Sequence, residues 1–132
     1  MIDEMNQAIE MRDAFDRIEE SYEFMLAYAA QGRKRETAEG AGESQIRQYL
    51  KRFRGALDDL ETALQGEVGG PHGAAFRERF LADLAVVRAV LQILLAQPSI
   101  TSDMIDNTNG LIAMRSLLTD LFFTDQVVLP PR

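Results

Sequence analysis

The sequence predicts an all-α protein, an antiparallel up-down-up-down four-helix bundle with an extended C-terminal tail. Three observations carry this: apolar residues recur every three or four positions in four separate segments, strand-like alternation is missing, and glycine, proline or polar runs punctuate the segments. Four helices of about 20 residues joined by turns are most simply arranged as an antiparallel bundle. At 132 residues, 46% hydrophobic and 27% charged, the chain has the size and composition of a single globular domain spanning 1–132.

The first helix is expected over about 3–31. Met5, Ala8, Met11, Phe15, Ile18, Tyr22, Met25 and Ala29 form one stripe, acids fill the other faces, and Gly32 suits a left-handed helix end. Residues 33–43 are polar with no apolar period, which predicts a mobile connection. The second helix, about 43–65, carries the sharpest periodicity. Ile46, Leu50, Phe53, Leu57, Leu60 and Leu64 alternate intervals of four and three, the seam of a bundle helix or a short coiled coil.

A turn follows at Gly66 to Gly73, where Pro71 is suited to a helix's first position because its missing N–H is not needed there. The third helix is expected over about 74–97. Phe76, Phe80, Leu84, Val87, Leu91 and Leu94 make its stripe, and Leu81, Val86, Val90, Ile93 and Leu95 spread apolar character over its sides. Pro98 stops it. Thr101 or Ser102 then caps a fourth helix, about 102–124, with Met104, Leu111, Met114, Leu118 and Leu121 as its seam and Asn107 on the same face. Gly110 and its Asn neighbours are expected to loosen or interrupt the start of that helix. Residues 125–132 contain two prolines and are expected to run extended against the bundle.

Composition excludes several kinds of chemistry. With no Cys and one His, disulfides, thiolate sites, zinc fingers and His-based di-iron centres are ruled out, so no metal, cofactor or catalytic residue is expected. The glycine-rich turn at 66–73 lacks the Lys-Ser/Thr pair and the preceding strand of a phosphate loop. His72 is alone in that turn. The run Asp106 to Gly110 fails the calcium-loop register, because Gly110 at the sixth position would put Ile105 at the first and Ser116 at the twelfth.

The start, Met1 to Met5, is acidic, unlike a secretory signal, and the most apolar stretch, Phe80 to Ala96, is interrupted by Asp83, Arg88 and Gln92. A cytoplasmic location away from membranes is expected. The predominance of 12 Arg over two Lys is common in GC-rich bacterial genomes.

The net charge of -7 is unevenly spread: residues 1–30 carry -6 and residues 33–54 carry +4. Arg47, Lys51, Arg52 and Arg54 are therefore a candidate interaction surface, either for the acidic first helix or for an acidic protein segment. The acidic whole and the lack of interleaved aromatics argue against nucleic acid.

The functional expectation is a non-catalytic interaction module, a homodimeric adaptor, regulator or accessory subunit. The third helix has more apolar surface than one stripe buries, and covering each extra Leu, Val or Ile is worth roughly 1.5–3 kcal/mol. Leu81, Val86, Val90, Ile93, Phe122 and Phe123 are the expected dimer interface, helped by Val127, Val128 and Leu129 of the tail. The alternative is a small-molecule-binding bundle or minor enzyme with an apolar interhelical pocket, anchored by Tyr22, Tyr49 or Arg88.

Overall fold

The computed structural model describes residues 2–38 and 42–132. Among the described residues there are five α-helices: α1 (Ile2–Ala30), α2 (Gln45–Ala63), α3 (Ala74–Leu95), α4 (Ser102–Asn109) and α5 (Ile112–Phe123). A 3-10 turn, Gly70–His72, precedes α3, and one wide π-turn, Thr124–Val128, follows α5. No strand occurs among the described residues beyond an isolated bridge between Ala38 and Ser44. None of these helices is long and apolar enough to cross a membrane.

The periodic residues form the core. All six seam residues of α2 are buried, as are Ala8, Met11, Phe15, Ile18 and Met25 of α1 and Phe80, Leu84, Val87, Leu91 and Leu94 of α3. Met5 departs from the predicted stripe and lies exposed, while Tyr28 is buried and its hydroxyl donates to the Ile100 carbonyl at 2.5 Å. The helices pack as a ring: α1 touches α2 and α4, α2 touches α3, α3 touches α5, and α5 adjoins α4. Gly32 takes φ +66 just after α1, and Thr101 caps α4 through the Met104 N–H at 3.2 Å.

The predicted fourth helix is in fact two. Helix α4 ends at Gly110, and Leu111 is extended (φ -62, ψ 139) before α5 begins. Glycine stabilises a helix interior poorly, so the break falls there. The interruption resets the helical register, and the buried faces become Ile105, Thr108 and Asn109 in α4 and Met114, Leu117 and Leu121 in α5. Leu111 is consequently exposed, Met104 and Leu118 are only partly buried, and Asn107 points outward, donating to the Asp103 carbonyl. The break also lets the two halves serve different neighbours, α4 against α1 and α5 against α3.

The start of the first connection is held more firmly than its composition suggests. Residues 39–41, inside the segment expected to be mobile, lie outside the described residues. The flanking part is pinned. The Arg33 N–H donates to Ser102 Oγ at 2.7 Å, its carbonyl accepts from the Ser102 N–H at 2.9 Å, and the Glu36 N–H donates to Ser99 Oγ at 3.1 Å. The Glu36 carboxylate accepts from Arg47 twice at 2.8 Å and from the Ile100 N–H at 2.8 Å. Burial pushes that carboxyl up, but the hydrogen bonds from Arg47, Ser44 and Ile100 outweigh it and hold it below the usual carboxylate range. Arg47→Ala is expected to lower stability by about 2–3 kcal/mol, because it strips the charged bonds from a half-buried carboxylate. Urea denaturation checks this, and a midpoint equal to wild type would remove Arg47 from the fold.

The tail also departs from expectation. It is not extended from 125, because the helix widens into the π-turn, closed by the Leu129 N–H on the Thr124 carbonyl at 2.9 Å. The prolines come only at 130 and 131, after that turn is complete. Arg12 of α1 grips the turn, bonding the Asp125 carboxylate at 2.7 Å and its carbonyl at 3.1 Å, and Leu129 is buried.

Candidate functional site

The solvent face of α3 is the first candidate. Ala82, Val86, Ala89, Ile93 and Ala96 are all exposed and succeed one another at intervals of four, three, four and three, a second heptad seam on the side away from the core. Val86 is 49% exposed and Ile93 62%. Only two charged residues occur between Phe80 and Gln97, and both are turned to the protein. Asp83 is buried, bonded by Ser116 Oγ at 2.6 Å and by Arg79. Arg88 pairs with Asp58 at 2.9 Å and Glu61 at 3.2 Å on α2. The outer face is thus left without charge over four turns, which is unusual for a helix facing water.

Other expected interface residues divide. Leu81 and Val90 are half-buried against the core, so they belong partly to the fold. Phe122 and Phe123 are both exposed, and Phe123 also meets Phe76 edge-on with ring centroids 5.1 Å apart.

That aromatic pair forms one wall of the second candidate, an open cleft of about 850 Å³. The start of α1, the α2–α3 connection, the start of α3 and the π-turn with its following residues meet around it. Met11, Phe76, Phe123 and Leu129 supply apolar surface, and Glu4, Glu67 and His72 supply the titratable groups. The connection holds its shape through glycine: Gly69 and Gly70 have φ +76 and +66, and Gly73 sits against the Val68 backbone so closely that any Cβ would overlap it.

A third cluster lies between α3 and α5, where Asp83 and Asp120 are both buried and close enough to influence each other's charge, and Asp120 Oδ2 has no hydrogen-bond partner among the described residues. Burial, then the neighbouring Asp83 carboxyl and its charge, push the Asp120 carboxyl up to about 7 despite Arg79. Burial also acts to raise Asp83, but the neighbouring Asp120 and the bonds from Ser116 and Arg79 hold it below the usual range. Apolar periodicity missed this pair. The available signal was the stripe Leu117, Asp120, Thr124, whose spacing of three and four continues a seam through polar residues.

The basic segment is largely occupied by its own chain. Arg47 binds Glu36 and the carbonyls of Leu95 and Gln97, Lys51 pairs with Glu43, and Arg52 reaches Glu20 of α1 at 2.9 Å. Arg54 is half-buried and forms no ion pair among the described residues. Tyr22, Tyr49 and Arg88 do not line the cleft. Tyr22 packs against the core, Tyr49 stacks on Phe24 at 4.2 Å, and Arg88 serves the ion pairs to α2. Among the described residues no group of three or more acidic or imidazole side chains is placed to hold a metal ion.

The class these features define is an all-helical protein with one uncharged helix face and one end cleft. No family model, curated protein or solved structure matches this chain.

Proposed function

We propose that this protein is a non-catalytic interaction module that works as a homodimer, joined through the outer face of α3. In this reading α4 and α5 together stand as the fourth member of an antiparallel bundle, which leaves α3 free to pair with a second copy. The observation that carries it is the uncharged heptad Ala82, Val86, Ala89, Ile93 and Ala96. Small and β-branched residues at successive seam positions let two helices approach closely, and the same stripe on both chains is self-complementary under a two-fold axis. A second copy also brings no charge to that face, whereas the rest of a -7 chain repels its like. The ion pair of Arg52 with Glu20 supports the reading in which the basic segment serves the acidic first helix.

The test is sedimentation velocity at micromolar concentration. Wild type is expected at twice the 14.8 kDa chain mass. Val86→Glu, at a position exposed in the single chain, is expected to give a folded monomer, since an unpaired carboxylate buried in the interface costs several kcal/mol, roughly a hundredfold or more in affinity. Val90 is the poorer site for this substitution because its side chain is shared with the core. A wild-type monomer would overturn the proposal.

A further inference from the structure

The end cleft has a composition that its position does not require. Its wall is built from the Phe76 and Phe123 edge-on pair with Met11 and the buried Leu129 beside it, so an apolar body would lose water on the side laid against that wall. Methionine adapts its shape to such a body, and aromatic faces attract cations as well as hydrocarbon. The titratable residues around it are Glu4, Glu67 and His72, with no Lys or Arg among the lining residues. The two cations next to lining residues in sequence are committed elsewhere. Arg12 bonds the Asp125 carboxylate and carbonyl, and Arg77 bonds the Leu64 carbonyl at 2.5 Å and the Gln65 carbonyl at 3.3 Å. The charged side chains lining the cleft therefore favour a positive ligand, on a chain whose net charge is already -7.

We propose that this cleft binds a small amphipathic organic cation, an amine whose apolar body lies against Phe76, Phe123 and Met11 and whose ammonium group faces Glu4 and Glu67. An open cleft of about 850 Å³ has room for a small molecule of this kind. The glycine-rich connection forms one wall of the cleft, where the Gly73 backbone packs directly against that of Val68. The site is independent of the outer face of α3, since it uses the start of that helix and not the stripe from Ala82 to Ala96.

Amide chemical shifts of the full chain, titrated with 2-phenylethylamine, 2-phenylethanol and 3-phenylpropionate, test the ligand class. Saturable shifts are expected at Gly69, Gly70, His72, Phe76 and Phe123 with the amine. The alcohol should bind about five- to tenfold more weakly and the carboxylate weakest of all, the margin that two exposed carboxylates give one cation. The double variant Glu4→Gln and Glu67→Gln should bring the amine down to the alcohol and leave the alcohol unchanged. Both residues sit at the cleft margin and not in the core, so folding is retained and circular dichroism verifies it. Equal binding of amine and alcohol, tighter binding of the carboxylate, or no saturable shift around the cleft would each overturn the proposal.

Discussion

Gly73→Ala should be among the most damaging single-methyl substitutions in this protein, lowering unfolding free energy by about 3–5 kcal/mol. An added Cβ would stand 1.5 Å from the Val68 carbonyl oxygen and 2.6 Å from its carbon. Those are backbone atoms, so no rotamer change relieves the overlap. The cause is purely steric, because Gly73 has φ -88, which any residue adopts. Relief requires moving the whole α2–α3 connection, which would pull the buried Val68 off the core and open the cleft wall. Gly55→Ala is the control of opposite sign. Gly55 lies inside α2 with nothing within 4 Å of its added methyl, so alanine should stabilise by about 0.5–1 kcal/mol. Equilibrium denaturation of both variants decides it. A Gly73→Ala midpoint equal to wild type would mean that the connection yields freely.

The second large effect is a fall in stability with rising pH, centred on Asp120. Its folded carboxyl is raised from 3.8 to about 7, so between those values the folded state holds a proton that the unfolded state has released. The stabilisation is complete below the ordinary aspartate range and is lost as pH rises towards about 7, where two negative charges face each other between α3 and α5. At 1.36 kcal/mol per pH unit the loss is on the order of a few kcal/mol. Glu36, Asp83 and Asp125 are shifted downward, so their contributions are present above the ordinary carboxylate range and disappear only as pH falls through it. Asp120→Asn should remove the neutral-pH loss, since an amide stays uncharged beside Asp83 over the whole range. The variant is expected to be more stable than wild type at pH 8 and to show a nearly flat profile from pH 5 to 8. Denaturation midpoints across that range provide the check, and parallel profiles for the two proteins would show that Asp120 does not titrate there.

The sequence by itself determined where helices form. The seams of α1, α2 and α3, the left-handed end at Gly32, the cap at Thr101 and the interruption at Gly110 all follow from interactions within a few residues of each other, which local periodicity and capping chemistry report. The excess apolar surface of α3 was legible in the same way, and with it the candidate interface.

Tertiary structure decided everything that depends on which face meets which neighbour. Gly110 marked a weak point, but only the separate docking of α4 on α1 and α5 on α3 changed the register of the buried faces. Glu36 and Arg47 look like loop and surface charges in sequence, yet distant carbonyls and amides from Leu95, Gln97 and Ile100 make them a bracket. Asp83 and Asp120, 37 residues apart, act on each other's charge because two helices bring them together. The cleft likewise gathers residues from both ends of the chain. Such sites are invisible to periodicity because a polar residue on a seam reads as an error in the pattern until the group that satisfies it is found across the interface.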